Sequence, residues 1–93
     1  MQVGVMEIHL HIPWAHSLKE KRMVVKSLQD KIRHRFNVSV AEIQDQDIHQ
    51  TAVIGIACLS SSAVIMDQVL THVFSFVEQN TEAIVTDVFR EIR

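Results

Sequence analysis

This chain lacks tyrosine altogether, and it has one cysteine, one proline, one tryptophan and two glycines in 93 residues. A single cysteine, Cys58, allows no disulfide framework and no cysteine-based zinc site, and it fits a reducing cytoplasm. So little proline and glycine leaves no room for linkers, so one domain is expected, long enough for a modest core without disulfides. No apolar run approaches ~18 residues and no basic start precedes an apolar segment, so neither a membrane span nor secretion is expected. P-loop, G-x-G-x-x-G and G-x-S-x-G signatures are all absent. The carboxylates Glu42, Asp45 and Asp47 cluster near one loop, but nothing in the sequence gives them a cleft. The expectation is a protein that is not an enzyme and carries no cofactor.

What is present is a clear order of periodicities. From Gln2 to Ile12 the chain alternates, with Gly4, Met6, Ile8, Leu10 and Ile12 on one face and Val3, Val5, Glu7, His9 and His11 on the other. This is a half-buried strand, which Pro13 ends. Ser17 and Glu20 form a capping-box signal for a helix running to Phe36. Leu18, Val25, Leu28, Ile32 and Phe36 share one arc of that helix, at about 100° per residue. A short strand is predicted from Val38 to Ile43, then a polar turn from Gln44 to Gln50. A nearly all-apolar third strand follows from Thr51 to Leu59, with Gly55 marking a close approach to its backbone. Ser60 to Ser62 cap a second helix ending near Gln79 or Asn80, with a wide apolar arc. The last strand spans Glu82 to Ile92, with Ile84, Thr86, Val88 and Ile92 on one face and Val85, Asp87 and Phe89 on the other. The order β-α-β-β-α-β predicts an α+β, ferredoxin-like split βαβ domain: a four-stranded antiparallel sheet with both helices on one face.

Charge is distributed unevenly. The stretch His16–Phe36 holds seven of the nine Lys and Arg residues against Glu20 and Asp30, a balance of +5. The remainder has Arg90 and Arg93 against nine acids, a balance of −7, which sums to the formal −2. Lys19, Arg22, Lys26 and Arg33 fall on one helical stripe, a quarter-turn from the core arc, while Lys31 and Arg35 lie on the opposite flank. Lys21 falls inside the apolar arc, so its stem is expected to pack while its head escapes at the end of the sheet. A charged helix face is often only solvation, and Lys26 with Asp30 can form an ordinary i,i+4 pair. Four bases on one stripe in an otherwise acidic chain exceed what solubility needs, and they suit phosphate contact. The candidate nucleic-acid-binding residues are Lys19, Lys21, Arg22, Lys26 and Arg33, with Trp14 at the helix start.

The sheet face away from the helices mixes apolar and polar groups but lacks the paired aromatics of an RNA-recognition motif. It offers a surface for a homodimer or a small-ligand module. His9 and His11 sit two apart on that face, without the spacing of an established metal motif, and no metal site is expected. Cys58 reads as a small core residue.

HIPWAHSLKEKRMVVKSL and FNVSVAEIQDQDIHQTAVIGIACLSS resemble the YlxP-like family, a bacterial domain of unknown function. The resemblance covers essentially the whole chain. Its most specific parts are Pro13 with Ser17-Leu18-Lys19-Glu20-Lys21-Arg22, and the segment Phe36 to Glu42. It implies a small ferredoxin-like fold. It also implies a gene neighbourhood beside translation initiation factor 2 and a ribosome-binding factor, and hence work on ribosomal RNA or the small ribosomal subunit. Where family members carry Trp after Gln-Asp-x, this chain has His49, which weakens any stacking role there.

Overall fold

The computed structural model describes residues 1–93. Its elements are β1 (Gln2–His11), α1 (Leu18–Arg35), β2 (Ser39–Gln44), β3 (Thr51–Ser60), α2 (Ala63–Asn80) and β4 (Ile84–Ile92). The strands form one antiparallel sheet in the order β2-β3-β1-β4. This is the ferredoxin-like arrangement that the periodicities predict. Boundaries move by a residue or two: β1 stops at His11 ahead of Pro13, β2 and β3 each run one residue further, and β4 begins at Ile84.

Alternation in β1 places Met6, Ile8 and Leu10 against the helices, continued by Ile12 beyond the strand, and all four are buried. From the helices, Val25, Leu28 and Ile32 meet Met66, Leu70, Val73 and Val77 in the same core. Phe36 and Phe76 join α1 to α2 edge to face, with ring centroids 5.4 Å apart. Gly4 lets α2 lie close to β1: a Cβ there would overlap the Met66 side chain. Gly55 fulfils its expected role, since Ile43 folds over it with Cγ2 2.8 Å from where a Cβ would stand.

The caps differ slightly from the sequence reading. The Ser17 hydroxyl accepts from the Glu20 N–H at 3.1 Å, but the Glu20 carboxylate accepts from the His16 N–H at 3.2 Å, one residue before the cap. The Ser62 hydroxyl caps α2 by accepting from the Ile65 N–H at 3.3 Å.

In β4 the expected faces do not hold along the whole strand. A register shift falls between His9 and Leu10 of β1, so Ile84 pairs with His11 on the open face while Val85 pairs with Leu10 toward the helices. Beyond the shift Val88, Arg90 and Ile92 share the helix side, and Asp87 and Phe89 the open side. A bulge inserts one residue and exchanges the faces on either side of it. A second register shift, between Glu42 and Gln44 of β2, precedes Asp45, whose φ of 63° lies in the left-handed region.

Candidate nucleic-acid interface

Helix α1 carries the site, and the structure sorts its cations into three groups. Lys21 stands apart from all the others. Its head does not escape to solvent as the sequence suggests: Lys21 is fully buried. Its Nζ donates its three N–H groups to Glu42 Oε2 at 2.7 Å and to the carbonyls of Asp45 and Thr51 at 2.6 and 3.2 Å, with the Gln46 carbonyl at 3.4 Å sharing one of them. The reason lies in the β2–β3 loop, which curls over the first turn of α1 and closes the exit. The Asp45 carbonyl also accepts from the Ile48 N–H at 3.0 Å, and the Thr51 hydroxyl donates to the Asp45 carboxylate at 3.2 Å. Lys21 is therefore a cross-link between α1 and the hairpin, and it cannot meet a phosphate. The sequence held the signal: Glu42 lies two residues beyond Val40 on the helix-facing side of β2, where a lysine in the apolar arc of α1 would find it.

The second group is the predicted stripe. Lys19, Arg22, Lys26 and Arg33 are all exposed. Lys19 makes no ion pair within 4 Å; Arg22 stands 4.0 Å from Asp47 and Lys26 3.5 Å from Asp30. Arg33 is the most engaged, donating to the Val40 carbonyl at 2.8 Å, the Gln29 side chain at 3.2 Å and Asp30 at 3.4 Å. Exposed pairs of this kind hold their partners weakly. The stripe therefore remains a cationic surface, with Arg33 the residue least free to move.

The third group, Lys31 and Arg35, occupies the flank of α1 that faces α2. Both are exposed and neither forms an ion pair. Trp14 belongs with them and not with the stripe. It is 39% exposed at the mouth of a groove of about 630 Å³ between the helices, lined also by Met23, Lys31, Asn80 and Glu82. Its loop is held in place by Gln50, whose amide donates to the carbonyls of Pro13 at 3.2 Å and Ala15 at 3.4 Å.

On the open face no three His, Cys, Asp or Glu side chains converge as a metal site would require. The His11 Nδ1–H donates to the Gln50 carbonyl at 3.1 Å. Cys58 is buried with its sulfur 3.1 Å from that of Met66, and burial raises its thiol pKa. No helix is long and apolar enough to cross a membrane.

Comparisons with known proteins bear on the fold and the family. A de novo designed protein with a ferredoxin fold, solved by solution NMR, superposes with a TM-score of 0.56 over all of this chain and 85% of its own, at 14% identity, a likeness of fold alone. The uncharacterized protein YlxP of Bacillus subtilis (strain 168) is 40% identical over 80 residues, 86% of this chain and 87% of that one. The model of the protein family of unknown function DUF503 matches residues 3–90. By the extent of that match and the identity to YlxP, this chain belongs to the DUF503 family.

Proposed function

We propose that this chain is a non-catalytic accessory protein that binds RNA on or around the small ribosomal subunit through phosphate contacts of α1. One observation carries the reading: seven of the nine Lys and Arg residues sit on a single helix, and all but Lys21 are exposed there. Such a surface supplies affinity and steering without reading sequence. Lys19, Arg22, Lys26 and Arg33 make the contacts, and Trp14, on the other flank of α1, is not among them. Co-sedimentation with 30S particles across a salt series tests it. Binding should weaken as salt rises, and Arg22→Glu with Lys26→Glu should weaken it further and flatten the salt slope. Binding untouched by the double reversal removes the reading.

The open sheet face supports a second one. A trough of about 350 Å³ crosses it, floored by Gly55 and Ala57 and walled by Ile43, Val5 and Phe89. Phe89 is 48% exposed on the edge strand β4. Such a surface suits a second copy of the chain, which would cover it without competing with α1 for RNA. Sedimentation velocity across a concentration series checks this, and a monomer at every concentration rules it out.

A further inference from the structure

The stripe accounts for one flank of α1 and leaves the other without a role. On that other flank the structure gathers an exposed indole, an exposed thioether and two unpaired cations along one interhelical groove. Trp14, Met23 and Lys31 line its wide end. Lys31 also lines the next hollow, with Asp30, His34, Arg35 and Phe76, where the Asp30 carboxylate is engaged by Lys26 and Arg33, and Arg35 and Phe76 line the one after it. The hollows share their lining residues, so the groove runs along α1 from Trp14 toward Arg35. Lys31 and Arg35 are one helical turn apart on one face, about 6 Å between Cβ atoms.

Neither an ordinary core nor solvation explains this set. A core residue would be buried, yet Trp14 and Met23 are 39% and 64% exposed. Lys31 and Glu82 line the same groove without pairing, so the ammonium beside the indole stays open to another anion. An aromatic face followed by a row of cations is the pattern that holds a single-stranded nucleic acid, with a base stacked on the ring and the backbone along the charges. A duplex cannot use the indole face, because its bases are already stacked. The polar end of the groove adds a further feature. The last turn of α2 has no basic residue, and Glu82 just beyond it lines the groove and supplies a carboxylate acceptor there. Acceptors favour a base edge that carries N–H donors. Guanine, with N1–H beside its amino group, presents two adjacent donors to a carboxylate, whereas the single N–H of uracil is flanked by carbonyls.

From this we infer that the α1–α2 groove is a single-strand site, in which Trp14 stacks a purine base, Glu82 favours guanine, and Lys31 and Arg35 hold the adjoining phosphates. The inference rests on the RNA reading above and gives it a second contact surface of different chemistry.

The chain has one tryptophan and no tyrosine, so indole emission reports on Trp14 alone. Guanosine monophosphate should quench that emission saturably, and more strongly than adenosine monophosphate, a purine that lacks the paired N1–H and amino donors. Binding of a labelled single-stranded oligoribonucleotide, followed by anisotropy, should weaken about tenfold in Trp14→Ala, the scale of one lost base stack, and largely recover in Trp14→Phe. Lys31→Glu should weaken oligonucleotide binding while circular dichroism stays unchanged. Oligonucleotide binding with unmoved Trp14 emission and full affinity in Trp14→Ala overturns the groove and leaves the stripe standing. Saturable quenching by the mononucleotide in a protein that never sediments with 30S particles keeps the groove and removes the ribosomal reading. Equal quenching by the two mononucleotides overturns the role of Glu82. Emission unmoved by any nucleotide, with no oligonucleotide bound, overturns the groove as a nucleic-acid site and leaves the stripe to the co-sedimentation series.

Discussion

Lys21 and Glu42 form the one buried ion pair of the molecule, with side chains 0% and 14% exposed. Taking an ammonium out of water is costly, and here the cost is offset by one carboxylate and three carbonyls, with no buried side-chain nitrogen or oxygen left unpartnered. The two members should not be equivalent. Glu42→Ala strands a buried charge and should cost about 3–5 kcal/mol in urea unfolding. Lys21→Met should cost less, because Glu42 can turn to water while the methionine fills the stem's space. Equal losses would mean that the carbonyls left without a donor cost as much as the stranded ammonium, and no loss in either variant would mean that the pair does not organise the hairpin. Cys58 gives a second test at this scale. Its thiol pKa is raised above the ordinary 9.0 by burial, so the folded state holds its proton longer than the unfolded one. Stability should therefore be unaffected at neutral pH and fall as pH rises above about 9, where only the unfolded chain has ionised. Cys58→Ala should flatten that alkaline decline in a thermal melt series, and an unchanged slope would place its cause elsewhere.

At the scale of elements, the two edges of the sheet differ. The edge strand β2 is short, carries a register shift and runs into a left-handed residue, all of which discourage further pairing. The opposite edge, β4, is nine residues long, with Val88 and Ile92 exposed on the helix side and Ile84 and Phe89 on the open side. Arg90 ties it to α2 through Asp67 Oδ1 at 2.7 Å. If a second copy covers this side, Phe89→Lys should move a self-associating sample toward monomer without lowering its melting temperature, because the ring is half exposed. Sedimentation with a parallel melt reads both quantities. The helices were legible from sequence because their apolar spacing and serine caps agree. The faces of β4 were not, because a bulge depends on pairing with β1, which one strand's pattern does not contain.

At the scale of the whole molecule, the charge is segregated by the fold as well as by the sequence. Helix α1 displays its cations on two flanks, one beside the acidic β2–β3 loop and one facing α2. The stripe and the groove thus lie on different sides of one helix, and the salt series and the indole titration address them separately. The sequence by itself determined the order of elements, the inner face of β1, the core arc of α1 and the concentration of positive charge, because each follows from local period and composition. Tertiary structure decided which cations are usable. A helical wheel ranks Lys21 only by angle, whereas its burial depends on a loop more than twenty residues away in sequence, from Glu42 to Thr51. The same holds for Trp14, which belongs to a groove only once α2 is packed beside α1. Charge and period are properties of a segment, but accessibility is a property of what the rest of the chain places against it.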